Sequence, residues 1–267
     1  MSGFRCLALE TGVRPPSVAA CNGDRHFETH LPEGTRIAAA LYEAIDTVMD
    51  EVDLSLEDLD CVAFGRGPGA FTGLRVAAAA AQGLATGLGI RLCAVSSLAA
   101  LAQDACDRAV EIGSAWARGH RPLGRVALRE AGDAREGSAL SPREARPPEG
   151  AWIAPALPAG REQVYLGWYR IAESGLVSAE TDDWLARAAQ SRLPGTGRFV
   201  AAGKVWSENE ALQTANASRI AGMADSAAPC ARAVLRLAKQ EFGEGRLLRP
   251  EDARPVYLRG ALGDAQG

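Results

Sequence analysis

With 267 residues and a hydrophobic share of 47%, the chain has enough apolar side chain for one large core or two modest lobes, and it reads as globular. A net charge of -4 and a pI near 5.5 exclude the broad basic surface that holds nucleic acid by counterion release, so any link to RNA is expected to be indirect. The positive charge is almost all arginine, Lys204 and Lys239 being the only lysines, and the arginines are scattered.

In chain order, residues 4–10 (FRCLALE) and 17–22 (SVAACN) predict two strands across a Gly-Pro turn. Asn22-Gly23 signals a hairpin into a third strand over 25–30. From 35 to 52, Ile37, Leu41, Ala44, Ile45, Val48 and Val52 recur at helical spacing while Glu43, Asp46, Asp50 and Glu51 fall off that stripe, which predicts an amphipathic helix. A strand at 61–65, a glycine-rich turn, an alanine-rich helix over about 72–87, a strand at 91–95 and a helix from Ser97 follow. A meander passing into alternating strand and helix gives an α/β architecture, a mixed sheet with helices packed on it.

Residues 113–150 carry Pro122, Pro142, Pro147 and Pro148 and seven arginines against five acids, which predicts a flexible Pro/Arg-rich insertion over 111–150. Beyond it, strands at 152–157, 163–171 and RFVAAG and a short helix in TDDWLARAAQ predict a second, smaller lobe, and a helix over 227–242 follows. The expected division is a first lobe over 1–110, completed by the helix at 227–242, a second lobe over 151–225, and a tail over 243–267 containing PVYLRG.

Six dispersed cysteines (Cys6, Cys21, Cys61, Cys93, Cys106, Cys230) show no paired metal spacing and read as reduced core thiols. No signal-peptide pattern opens the chain, and the longest uncharged run, 76–90, is too short and polar to span a bilayer. A cytoplasmic location without membrane contact is the expectation.

The densest motif is GRGPGAFTGLR: Gly65, Arg66, Gly67, Pro68, Gly69, Ala70, Phe71, Thr72, Gly73, Leu74 and Arg75, between a strand and a helix. Glycines permit sharp turns, Pro68 stiffens them, and Thr72 suits an N-cap. Such a turn either fixes a helix and a surface or offers backbone N–H groups to a phosphate. No Gly-Lys-Ser/Thr closes it, so it is not a Walker loop, and Ser96 and Ser97 stand where a dinucleotide fold needs an acid. In the next helix, Ala79, Gly83 and Gly87 share one face, which suits close packing either inside this chain's own core or against a partner's helix. His26 and His30 fall on a strand, where they sit too far apart for one metal ion. Glu10 and Glu28 lack a matching nucleophile and read as surface carboxylates.

The string GRGPGAFTGLRVAAAAAQGLATGLG, preceded by LSLEDLDCVAF and followed by a strand and VSSLAALA, resembles the TsaB (YeaZ) family. LALETG, HLPEGTRIAAALYEAI, REQVYLGWY and PVYLR support it. The likeness is strong over 4–110 and loose over 151–260. It implies the actin-like (ribonuclease H-like) two-lobe fold, with mixed sheets flanked by helices. It also implies a non-catalytic subunit of the complex that transfers a threonylcarbamoyl group to adenosine 37 of tRNA. The family docks on a catalytic paralogue, TsaD, through its first two helices, and an ATPase, TsaE, joins the pair; a homodimer is expected when the chain is alone. No catalytic residue, metal or cofactor is implied.

Departures from the superfold agree with a degenerate member: PALPAGREQVYLGWY has no Asp-x-Gly-Gly element, Glu10 replaces the usual Asp, and Pro158-Ala159 stands near a common Asp-Ala-Arg. The docking surface expected from this resemblance is Ile37, Leu41, Ile45 and Val48 of the first helix with Val76, Ala79, Ala80 and Gly83 of the second, burying on the order of 1,600 Å². The alternative is a nucleotide hydrolase or peptidase-like enzyme of the same fold.

Overall fold

A computed structural model describes residues 3–108, 150–160 and 162–258. The insertion expected over 111–150 lies outside the described residues, apart from Gly150. The first half runs β1 (Arg5–Glu10), β2 (Ser17–Asn22), β3 (Arg25–His30), α1 (Ile37–Glu51), β4 (Cys61–Gly65), α2 (Phe71–Leu88), β5 (Arg91–Val95) and α3 (Ser97–Asp107). Its five strands lie in the order β3-β2-β1-β4-β5, antiparallel through the meander and parallel from β1 to β4 to β5.

The second half repeats that plan. It runs β6 (Trp152–Pro158), β7 (Gln163–Leu166), β8 (Tyr169–Ile171), β9 (Val177–Ala179), β10 (Trp184–Arg187), β11 (Phe199–Ala202), α4 (Val205–Glu208), α5 (Glu210–Asn216), β12 (Ile220–Ala224) and α6 (Ala231–Gly243). The path β10-β7-β6-β11-β12 has the same order of third, second, first, fourth and fifth, with β8 and β9 as an added pair. The helix that follows the third strand in the first half has no counterpart here: a 3-10 turn (Ala188–Gln190) and a loop with Pro194, Gly195 and Gly197 join β10 to β11.

Three sequence expectations change in this half. TDDWLARAAQ forms β10 and the 3-10 turn because Trp184–Arg187 pair with Leu166–Gln163, and that pairing outweighs the helix preference of Leu, Ala and Arg. The run 163–171 splits at Gly167, where a Cβ would meet the Tyr169 ring at 2.4 Å. The chain bends there, so that β7 pairs with one end of β6 and β8 with the other. The last helix starts at Ala231, because Pro229 disfavours helical geometry in the residue before it.

Side chains alternate across each sheet into three cores. Leu7, Leu9, Val62 and Phe64 face outward beneath α1 and α2, while Cys6, Ala8, Cys61 and Cys93 face the layer formed by α3 and α6. Ile153 and Leu157 reach that central layer from the second sheet, and Ala154, Ala156, Phe199 and Trp206 form the outer core beneath α4 and α5. The two terminal helices are exchanged: α3 packs on β6 and β9, whereas α6 packs on β1, β2, β4 and β5. All six cysteines are buried and none forms a disulfide, with sulfur contacts of 3.6 Å (Cys61 to Cys6) and 3.8 Å (Cys93 to Cys61).

Candidate functional site

The first helix turns its apolar stripe inward. Leu41, Ile45 and Val48 are buried at 0–2% exposure against β2 and β3, and Ile37 is half-buried beside them. This corrects the docking stripe expected from the sequence: amphipathic spacing marks a buried face, and here the chain's own sheet occupies it. The outward face carries Ala38, Ala39, Tyr42, Glu43, Asp46 and Thr47, with Tyr42 57% exposed.

The second helix divides differently. Gly73, Leu74, Ala77, Ala78, Ala80, Ala81 and Ala85 are buried, and Val76 is half-buried. Phe71, Arg75, Ala79, Gly83, Thr86 and Gly87 are exposed, and a Cβ added at Gly83 or Gly87 would meet nothing within 4 Å. Of the two roles open to the small-residue face, packing inside the monomer is therefore not what Ala79, Gly83 and Gly87 do. Ala80 belongs to the core beneath α2.

The glycine-rich turn is held by the turn after β1. A Cβ at Gly69 would lie 2.4 Å from the Gly12 carbonyl oxygen, and one at Gly73 would lie 1.9 Å from that of Thr11. The Thr11 hydroxyl donates to the Gly73 carbonyl at 2.7 Å. The Arg66 N–H is taken by the Val95 carbonyl and the Ala70 N–H by the Gly12 carbonyl, which leaves fewer donors for a phosphate. Thr72 is not the cap. Helix α2 begins one residue before it, with Ala70 at the N-cap position and no side-chain cap.

Glu10 is not a surface carboxylate either. It is fully buried, accepts from Ser97 Oγ at 2.7 Å and from the Gly12 N–H at 2.9 Å, and abuts Gly65, whose added Cβ would sit 2.0 Å from its carboxylate. Burial pushes this carboxyl above its ordinary range, against the pull of those two hydrogen bonds. Glu28 is half-buried and caps the start of α6 by accepting from the Arg232 N–H at 3.0 Å.

Between the two sheets lies a cleft of about 500 Å³, bordered by Arg66, Ser96, Tyr169 and Asp183. Ser96 Oγ donates to Asp183 at 2.5 Å, and the Tyr169 hydroxyl donates to the other carboxylate oxygen at 2.7 Å. Burial raises the Asp183 carboxyl, opposed by these hydrogen bonds and by the charge of Arg66. Ser96 Oγ also accepts from the Leu98 and Ala99 N–H groups, so its lone pairs cap α3 and are not free for nucleophilic attack. Sequence reading missed this cluster. Asp183 sits in the segment read as helix, and only Ser96 before an apolar run gave a capping signal. His26 and His30 lie on β3 as expected, and among the described residues no group of three His, Cys, Asp or Glu side chains is placed to hold a metal. No helix among the described residues is long and apolar enough to cross a membrane.

Two sheets with the same strand order, flanked by helices and related by exchanged terminal helices, define the actin-like class. Residues 35–112 match the family model described as TsaD, tRNA N6-adenosine threonylcarbamoyltransferase. The chain is 29% identical over 262 residues to the tRNA threonylcarbamoyladenosine biosynthesis protein TsaB of Escherichia coli, an alignment covering 96% of this chain and 95% of that one. It is 40% identical over 108 residues to the protein of the same name from Haemophilus influenzae, covering 40% and 45%. A crystal structure from Pseudomonas aeruginosa, described as an uncharacterized protein with similarity to peptidase YeaZ, superposes with a TM-score of 0.74 at 27% identity over 96% of this chain and 100% of that one. YeaZ from the same organism gives 0.71 at 26% identity over the same shares. The chain is thus similar over nearly its whole length to the proteins named TsaB and YeaZ.

Proposed function

We propose that this chain is a non-catalytic, cytoplasmic subunit of the assembly that transfers a threonylcarbamoyl group to adenosine 37 of tRNA, where it pairs with and supports a TsaD-like catalytic paralogue. The observation that carries the reading is the outward face of α2. Ala79, Gly83 and Gly87 leave a helix side open to close approach, and the adjoining α1 exposes Tyr42. Small residues let a second helix come near, and an amphipathic helix pair on the partner would cover them. Residues 1–110 with the C-terminal helix form the docking lobe in this reading, and residues 151–225 the smaller one. A TsaE-like ATPase joins the pair, the chain self-associates when alone, and tRNA is held mainly by the other subunits.

A pseudo-enzyme role fits the chemistry of the cleft: Ser96 is committed to capping, Glu10 is sealed in the core, and the glycine-rich turn spends donors on its own neighbours. Reconstitution from purified components tests the reading. Modified adenosine is expected only when this chain is present; full modification without it contradicts the role.

A further inference from the structure

Strand β3 leaves one edge of the first sheet open. It ends the order β3-β2-β1-β4-β5, whereas β5 at the other end is partly covered, since Leu248 and Leu92 exchange backbone hydrogen bonds of 2.8 and 3.0 Å. The hairpin through Gly23-Asp24 decides which groups of β3 are unused. Asn22 and Arg25 close its two-residue turn as a hydrogen-bonded pair, and the Leu31 N–H reaches the Pro16 carbonyl at 2.9 Å, so the odd-numbered residues bond to β2 throughout. The backbone N–H and C=O groups of His26, Glu28 and His30 therefore point away from the sheet. Among the described residues no backbone hydrogen bond reaches them. Every residue of the strand is half-buried or exposed, Phe27 at 37%.

An open edge accepts an extended chain, and its side chains decide which one. Because only even-numbered residues face outward, a second copy related by a two-fold axis must set even residues against even ones. Centred on Phe27, that pairing places His26 opposite Glu28 and His30 opposite Asp24 on both sides of the axis. The two Phe27 rings then meet on the face toward α1, the face Phe27 shares with its cross-strand partner Ala20. One oxygen of Glu28 already takes the Arg232 N–H, and its second remains for the imidazole. Moving the centre to His26 sets His26 on His26 and Asp24 on Glu28, and moving it to Glu28 sets Glu28 on Glu28. Like groups face each other in both, so the edge is matched to a second copy of itself in one register and opposed to it in the neighbouring ones.

We propose that two copies of this chain join edge to edge through β3, with Phe27 at the two-fold axis, making one continuous sheet. The proposal deepens the self-association included in the function stated above and rests on that reading for this alone. Helix α2 packs on β1, β4 and β5, away from the β3 edge, so each copy keeps the face offered to the paralogue. The ladder is short, which suits a weak dimer with a Kd of roughly 10 μM.

Sedimentation velocity of the full chain over a concentration series tests it. The unaltered chain is expected to dimerise, and one that stays monomeric at about 1 mM overturns the proposal. His26→Pro removes an outward N–H that makes no bond within the sheet, at an edge position where proline is tolerated. It is expected to weaken the dimer at least about ten-fold with an unchanged circular-dichroism spectrum. Asp24→Lys and His30→Glu each lose the match between positions 24 and 30, and an equimolar mixture of the two restores opposite charges there. The mixture is expected to dimerise better than either variant alone; a mixture no better than its components overturns the register and the proposal with it. Undiminished self-association in His26→Pro overturns the edge contact, as does a dimer lost in Gly83→Arg but kept in His26→Pro, which assigns self-association to α2. Loss of paralogue pairing in His26→Pro while the copies still associate gives the edge to the paralogue and also overturns it. Modification of tRNA that runs without this chain removes the proposed function but not the dimer, so the two fail separately.

Discussion

Glu10 is the residue whose surroundings depart furthest from what its type suggests. A carboxyl at the end of an apolar strand was legible as a possible acid or surface charge, but nothing local indicates that Gly65 and Ser97 close over it. Because burial raises its folded-state pKa above the unfolded value, the native state binds the extra proton. Its contribution to stability is therefore intact below the ordinary carboxylate pKa and declines as pH rises from there toward the raised value. Glu10→Gln removes the titrating group and keeps an acceptor for Ser97. Thermal melts across pH should show the variant gaining on the unaltered protein as pH rises; parallel curves would contradict a carboxyl pKa raised by burial.

Ile45 makes the opposite point. Its helical spacing identified a sticky face correctly, yet spacing alone does not say whether that face meets the chain's own sheet or a partner. The structure puts it at 2% exposure, so Ile45→Asp is expected to cost about 4 kcal/mol or more in urea unfolding, a folding defect preceding any loss of assembly.

At the scale of elements, the first half was readable because each strand and helix carries a clean period and the turns carry Asn-Gly or glycine signals. The second half was less so. β10 exists through pairing with β7, the break at Gly167 reflects a close ring, and both are tertiary effects invisible in a window of neighbours. The glycines of α2 show how position, not residue type, decides function. Gly73→Ala would drive a methyl into the Thr11 carbonyl at 1.9 Å and should destabilise by about 2 kcal/mol, whereas Gly83→Ala faces open space. The latter should stabilise by up to about 1 kcal/mol, since alanine is the better helix former. Chemical denaturation of both variants checks the contrast, and equal effects would place the two glycines on the wrong faces.

At the scale of the whole molecule, the exchange of α3 and α6 locks the lobes together. Asp104 of α3, fully buried, accepts from Arg108 Nε at 2.7 Å, Arg232 of α6 at 3.2 Å and the Ala228 N–H at 3.1 Å. Ser96 and Asp183 join the lobes again across the cleft. The bonds of Asp104 to Arg232 and Ala228 and of Ser96 to Asp183 were not legible beforehand, because these partners lie 128, 124 and 87 residues apart. Asp104→Ala should cost about 3 kcal/mol, the lower end for a broken buried pair, since the side chains of Arg108 and Arg232 stay 43% and 40% exposed. Faster amide exchange in α3 and α6 together would report it; unchanged exchange would mean the lobes are held without this carboxylate.

A locked body that leaves the small-residue face of α2 uncovered suits a subunit that acts by docking, and Gly83 lies in the middle of that face. The most direct measurement is heterodimer formation by Gly83→Arg with a TsaD-like paralogue, followed by light scattering beside a thermal melt. The account predicts a melt no lower than that of the unaltered protein, with the heterodimer lost. A folded variant that still pairs with the paralogue at normal affinity would contradict it.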